Sequence, residues 1–168
     1  MKTEQYNAML GWFRARPAAR RALRIASTGA VAAVYVLYAG LLGWLFWQRS
    51  PLLPGEVLVP AVVFVAGSVL RKAINRPRPY EALGFAPLFP KDTRGQSFPS
   101  RHCFSAACIA VAAWFACPAL AALLGVLGCV IAVSRVLSGV HYPSDVLAGL
   151  AFGAAASGLG FTVFFAIC

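Results

Sequence analysis

An all-α, polytopic membrane helical bundle of about five transmembrane helices is the fold class that this sequence predicts, and three observations carry it. Sixty per cent of the 168 residues are hydrophobic, with a mean hydropathy of +0.74, which places the chain among membrane proteins. Its apolar residues come in uncharged runs long enough to cross a bilayer. Short turns marked by proline and glycine separate these runs, with one long polar exception. A chain of this length has room for one domain. Residues 1–24 are expected to be a basic tail or an interfacial helix, and residues 25–168 a single membrane-embedded unit.

The elements follow in order. Lys2, Arg14, Arg16, Arg20, Arg21 and Arg24 alternate with Met9, Leu10, Trp12 and Phe13. That composition suits a short helix lying on an anionic leaflet, or a disordered basic tail. Ile25 to Trp47 is uncharged and long enough to span, and Trp44, Phe46 and Trp47 suit the aromatic belt at its end. The run is too long for a signal-peptide core and reads as a retained anchor. Arg49-Ser50-Pro51 and Pro54-Gly55 mark a turn, and Val57 to Leu70 is a shorter run extended to Ile74 by Arg71-Lys72. That run can cross if its basic end snorkels or faces a polar cavity. Residues 75–100 form the long polar segment, and their prolines forbid a continuous helix. From His102 to Val133 no formal charge interrupts the chain apart from His102 itself, and Cys117-Pro118 marks the turn of a helical hairpin. The last helix starts near Pro143, where Gly149-x3-Gly153 and Ser157-Gly158-x-Gly160 suit close packing in lipid.

Charge and cysteine usage exclude several classes. The net charge is +10, and the only carboxylates are Glu4, Glu56, Glu81, Asp92 and Asp145. In so apolar a chain a basic balance points to anionic lipid, whereas a nucleic-acid reader would carry its charge on a soluble face. No acidic or Cys/His cluster of metal-ligand type exists, so neither a metal nor another cofactor is expected. Cys103, Cys108, Cys117, Cys129 and Cys168 fall inside apolar runs and read as small buried hydrophobes.

With five spans, the ends of the second and fourth and the starts of the third and fifth share one membrane face. Four polar clusters then meet there: Arg71–Arg78, Ser100–His102, Ser134–Arg135 and His141–Asp145. Guanidinium forks match phosphate oxygens, and charge so near the bilayer calls for an anion or water beside it. Ser100 adds a hydroxyl, and the N–H groups after Pro99 open a helix. Two histidines beside such a pocket acquire natural roles, one attacking phosphorus and one protonating the leaving oxygen. Arg76 is expected to be a loop or headgroup contact, because i and i+2 do not share a helical face. Lys91 and Arg94 are expected to be solvated or headgroup-facing charges.

These blocks are Arg71-x6-Arg78-Pro79, Pro99-Ser100-Arg101-His102 and Ser134-Arg135-x5-His141-x3-Asp145. Together they resemble the three-block signature of the type 2 phosphatidic acid phosphatase superfamily, over roughly residues 55–165. The resemblance implies a lipid phosphatase that works without metal through a phosphohistidine. It implies His141 as nucleophile, Asp145 as its orienting carboxylate and His102 as general acid. It implies Arg71 or Lys72, Arg78, Ser100 and Arg135 as the phosphoryl grip, and a membrane lipid phosphate as substrate. The family has lysine where Arg71 stands and glycine where Arg101 stands. Arg101 is therefore expected either to crowd the site or to grip a second phosphate, which motivates a lipid diphosphate as substrate. A lipid phosphotransferase and a catalytically retired lipid-binding protein are the alternatives. If the N-terminal arginines obey the positive-inside rule, the active face is cytoplasmic.

Overall fold

The computed structural model describes residues 3–167; Met1, Lys2 and Cys168 lie outside the described residues. Seven helices follow in order: α1 (Thr3–Arg14), α2 (Pro17–Trp47), α3 (Leu53–Ile74), α4 (Pro79–Ala82), α5 (Arg101–Ala116), α6 (Pro118–Leu137) and α7 (Pro143–Ile167). Four regions, containing α2, α3, α6 and α7, are long and apolar enough to cross a membrane. The fifth member of the bundle, α5, has 16 residues and packs against α2, α3, α6 and α7. The expected hairpin turn falls at Cys117, between α5 and α6. Exposed side chains such as Val36, Phe46, Val62, Val126 and Leu159 form the apolar exterior that lipid would cover. Cys103 and Cys108 are buried free thiols, as their apolar context suggests, but Cys129 is exposed on that exterior.

The first span is longer than its uncharged run. Pro17 opens α2, and Arg20, Arg21 and Arg24 occupy its first two turns, where their long stems can reach the interface. Ahead of it, α1 is a separate helix with Tyr6 and Leu10 fully buried. These two pack with Phe85 and Leu88 of the polar segment, so α1 covers protein as well as presenting a face to the surface.

The centre is set by α5 against α7, and small residues set the spacing. A Cβ on Gly149 would stand 2.8 Å from the Ser100 carbonyl, and one on Gly153 would stand 2.2 Å from that of Phe104. One turn further, the Ser157 hydroxyl donates to the Cys108 carbonyl at 3.2 Å. Three successive turns of α7 thus zip against three turns of α5. Their N-termini are tied directly, the Ser100 N–H donating to the Asp145 main-chain oxygen at 2.9 Å.

Residues 75–100 contain only the four-residue α4 yet are held firmly. The Glu81 carboxylate accepts from the N–H of Arg78 at 2.7 Å and from that of Gly95 at 2.9 Å, closing the segment on itself. Gly95 has φ +62° and lies against Asn75, where a side chain would not fit. The Ser97 N–H returns to the Arg76 carbonyl at 2.8 Å. This folded segment, α1 and the ends of α3, α5, α6 and α7 gather at one end of the bundle.

Candidate active site

The carboxylate of Asp145 is the anchor of that end. It is fully buried in the first turn of α7, where a helix N-terminus favours an anion. Ser97 donates to its Oδ2 at 2.5 Å and the Tyr142 N–H donates to the same oxygen at 3.0 Å. Arg76 donates to Oδ1 at 2.7 Å, and to the Ser144 hydroxyl at 3.0 Å. The Arg76 guanidinium also lies over the Tyr142 ring, 4.2 Å from its centroid. With these bonds the carboxylate is fixed, and its remaining neighbour is His141.

His141 lies in the α6–α7 connection and is buried, with Nδ1 3.5 Å from Asp145 Oδ2 and 3.4 Å from the Ser97 hydroxyl. Such a length is at the long end of a hydrogen bond, as ligand-free sites often are. Asp145 facing Nδ1 leaves Nε2 as the ring nitrogen available for chemistry. Burial pushes the His141 imidazole down to about 4, against the pull of Asp145 and with help from Arg78, so the ring is neutral at neutral pH. A neutral, oriented imidazole is a nucleophile.

Three arginines surround it. Arg71, at the end of α3, is buried and donates to the Pro99 carbonyl at 2.6 Å. Arg78 is buried too, with Nε donating to the Gly95 carbonyl at 3.1 Å and Nη1 to that of Val140 at 3.4 Å. Burial and the neighbouring Arg101 lower the Arg78 guanidinium, while Tyr80, Glu81 and Asp145 act the other way. Arg135, on the last turn of α6, keeps a buried Nε with no partner. Ser100 is the N-cap of α5, but its fully buried hydroxyl makes no cap hydrogen bond and stands beside the Cys103 thiol. With no side-chain cap, the first N–H groups of α5 are left for a ligand. Together, Ser100, the first N–H groups of α5 and these guanidiniums can enclose an anion such as phosphate.

Among the other expected residues, His102 is half-buried on the first turn of α5, within electrostatic reach of Arg135, Lys91 and His141. Lys72 is exposed, so of the basic pair it is Arg71 that enters the cluster. Arg101 is exposed and close enough to act on Arg71 and His102, with no hydrogen bond of its own among the described residues. Two expectations are corrected. Arg76 is a site residue, because α3 ends at Asn75 in the left-handed conformation and the helical-face argument stops there. For Lys91 the solvated alternative is set aside, since it is half-buried at the same end, while the headgroup-facing one stands; Arg94 is exposed as expected. Ser97 and Tyr6 were not anticipated. Tyr6 donates to the His141 carbonyl at 3.2 Å, and no local sequence signal could reveal that contact. Among the described residues no group of three His, Cys, Asp or Glu side chains is arranged to hold a metal ion.

A multi-pass helical membrane protein with a buried His–Asp pair ringed by arginines is the class that this geometry defines. The chain belongs to the PAP2 superfamily, which it matches over residues 52–167. A lipid A 1-phosphatase of Rhizobium johnstonii is 40% identical over 112 residues, covering 60% of this chain and 43% of that protein. Phosphatidylglycerophosphatase B of Bacillus subtilis is 38% identical over 96 residues, covering 51% of this chain and 44% of its own length. The chain thus spans less than half the length of these curated relatives. The crystal structure of LpxE from Aquifex aeolicus superposes with a TM-score of 0.72 at 26% identity, covering 96% of this chain and 94% of that one. A transmembrane PAP2-type phosphatidylglycerolphosphate phosphatase from Bacillus subtilis gives the same TM-score at 24% identity, covering 98% and 87%, and shares the fold.

Proposed function

We propose that this protein is a membrane lipid phosphatase that hydrolyses a phosphomonoester or diphosphate headgroup through a phosphohistidine on His141. The observation that carries the reading is the neutral, buried His141 facing a fixed Asp145 inside a ring of arginines with unfilled donors. In the first step Nε2 of His141 attacks phosphorus and the P–O bond to the lipid breaks. His102, as imidazolium, gives its proton to the departing oxygen. A phosphate dianion bound beside it favours that charged form. Asp145 steadies the histidine as it becomes cationic. In the second step water attacks the phosphohistidine, His102 takes the water's proton, and inorganic phosphate leaves with His141 neutral again. Arg71, Arg78, Arg135, Ser100 and the α5 N-terminus hold the equatorial oxygens as charge develops, a role that needs no metal.

A lipid substrate is supported by what lies beside His102. That residue lines a crevice with Val31, Val34, Tyr35 and Ile131. The crevice shares Tyr35, Ser105 and Ile109 with an apolar cavity of about 380 Å³ between α2, α3 and α5. The crevice itself holds only about 10 Å³, so its support for a lipid is the apolar character of the wall beside His102. The lipid A 1-phosphatase and phosphatidylglycerophosphatase B names of the relatives agree with such a substrate. Orientation follows from charge: among the described residues, Arg49 is the one basic residue at the end of the bundle away from the site. By the positive-inside rule the active face is cytoplasmic.

The test is phosphate release in detergent with EDTA from phosphatidate, phosphatidylglycerophosphate, a lipid A and undecaprenyl diphosphate, with His141→Ala alongside. Metal-independent release that the variant abolishes is expected. Release that persists in His141→Ala would remove His141 as nucleophile, and acceptor-dependent transfer without free phosphate would make the protein a phosphotransferase.

A further inference from the structure

We infer that a second phosphate subsite lies beside the first, built by Arg24, Lys91 and Arg135, and that it takes a second phosphate group carried by the substrate lipid. This rests on the lipid phosphatase reading. The space is a cavity of about 190 Å³ walled by α2, the polar segment and α6. That is the room of about six water molecules, enough for a phosphate group.

Its walls are cationic on three sides. Arg24 comes from α2, Lys91 from the polar segment and Arg135 from α6, with the hydroxyls of Ser27 and Thr28 between them, and no carboxylate lines it. Phe89 forms another wall, and the Arg24 guanidinium stands 5.9 Å from its ring centroid, with that of Arg20 at 5.8 Å on the same ring. Aromatic stacking holds a guanidinium without neutralising it, so the charge stays available to a ligand. Arg135, whose buried Nε has no partner, is shared with the reaction centre, so what is particular to this cavity is Arg24 and Lys91. Burial and the fields of Arg78, Arg135, Arg101 and Arg71 push the Lys91 ammonium down to about 8, in keeping with its place on a cationic wall. An anion bound among these side chains would offset their mutual repulsion.

The cavity adjoins the reaction centre. It shares Arg135 with the arginine ring, and Val140, on its wall, precedes His141 and accepts from Arg78 at 3.4 Å. One lipid headgroup with two phosphates can place one at His141 and the other here. Arg101, which the sequence alone offered for this task, is exposed and does not line the cavity.

The experiment compares kcat/KM for a lipid with one phosphate group and a lipid with two, in the wild type, Arg24→Gln, Lys91→Gln and the double variant. The double variant is expected to lose about tenfold in the ratio favouring the two-phosphate lipid, with the one-phosphate lipid hydrolysed at the wild-type rate. Arg24→Lys and Lys91→Arg are expected to keep most of the preference. An unchanged ratio, or an equal loss on both lipids, would overturn the subsite. Inorganic phosphate is titrated as an inhibitor in parallel. A variant that changes only this inhibition would assign the cavity to free phosphate and overturn the lipid assignment. If the wild type hydrolyses no lipid, the phosphatase reading fails first, and the outcome is distinguishable from a wild type that hydrolyses both lipids equally.

Discussion

The hydroxyl of Tyr6 donates to the main-chain oxygen of His141 at 3.2 Å, joining residues 135 positions apart. The ring stacks on Phe85 at 5.0 Å and meets Tyr142 edge-on at 6.4 Å. Helix α1 is therefore bonded to the strip of backbone that carries the candidate nucleophile. Tyr6→Phe keeps the ring contacts and deletes the bond. It is expected to lower kcat roughly three- to tenfold, as loss of one buried hydrogen bond would, with KM nearly unchanged. An unchanged kcat would show that the bond does not position His141.

The Arg76 side chain bonds the carboxylate that orients the histidine and, among the described residues, hydrogen-bonds otherwise only to Ser144. Arg76→Gln is expected to cut kcat by about tenfold while leaving KM close to its wild-type value. A rise in KM with kcat intact would instead make Arg76 a phosphate holder. Steady-state kinetics on one lipid separates the two.

The depressed His141 gives a pH dependence of known sign. The folded state releases its proton near pH 4, whereas the unfolded chain holds one up to about 6.5. Between these values the unfolded state binds more protons, so stability rises with pH, is complete above about 6.5 and falls as pH drops toward 4. The acid limb of kcat/KM for the free enzyme is expected near pH 4. His141→Ala is expected to reduce the slope of the stability profile between pH 4 and 6.5; thermal unfolding across that window checks it.

Helix spacing gives a paired test. Gly153→Ala places a methyl against the Phe104 carbonyl and is expected to cost about 1–3 kcal/mol, with activity falling because Ser100 and Asp145 ride on the same two helices. Gly158 has nothing within 4 Å of an added Cβ, so Gly158→Ala is expected to be neutral or slightly stabilising. Melting temperatures of the two variants in one detergent decide it.

Glu56 is fully buried near the start of α3, at the end away from the site, with neither carboxylate oxygen partnered. Tyr38 bonds its main-chain oxygen and leaves the side chain unaided. Glu56→Leu removes that uncompensated group at similar volume. The expected outcome is a melting temperature a few degrees higher, with catalysis unaffected.

The bundle was legible because hydropathy runs, prolines and small-residue spacing each report a local property that membrane packing preserves. The Gly149, Gly153 and Ser157 register was visible for that reason. The blocks around Arg71, Ser100 and His141 were legible because chemistry fixes residue types at short spacing. What escaped depends on backbone direction or on distant contacts. Arg76 turns inward because Asn75 takes φ 43° and ends the helix, an event that a helical wheel does not contain. Ser97 reaches Asp145 across 48 positions, and Tyr6 reaches His141 from the far end of the chain. The surroundings of Lys91 are invisible in its local sequence, because Arg24 and Arg135, which line the same cavity, lie on two other elements.

The brevity of α5 sets the depth at which a substrate is met. Its 16 residues rise about 24 Å, some 6 Å less than the hydrocarbon layer. Ser100 and the arginine ring stand at the N-terminal end of this short helix, with the folded 75–100 segment at the same end of the bundle. A lipid can then present its headgroup by sliding sideways along the leaflet, keeping its chains immersed. Lifting it clear would cost about 0.8 kcal/mol for each methylene brought into water. On the lipid phosphatase reading, so short a helix would bring the reaction plane down to the lipid and make extraction unnecessary.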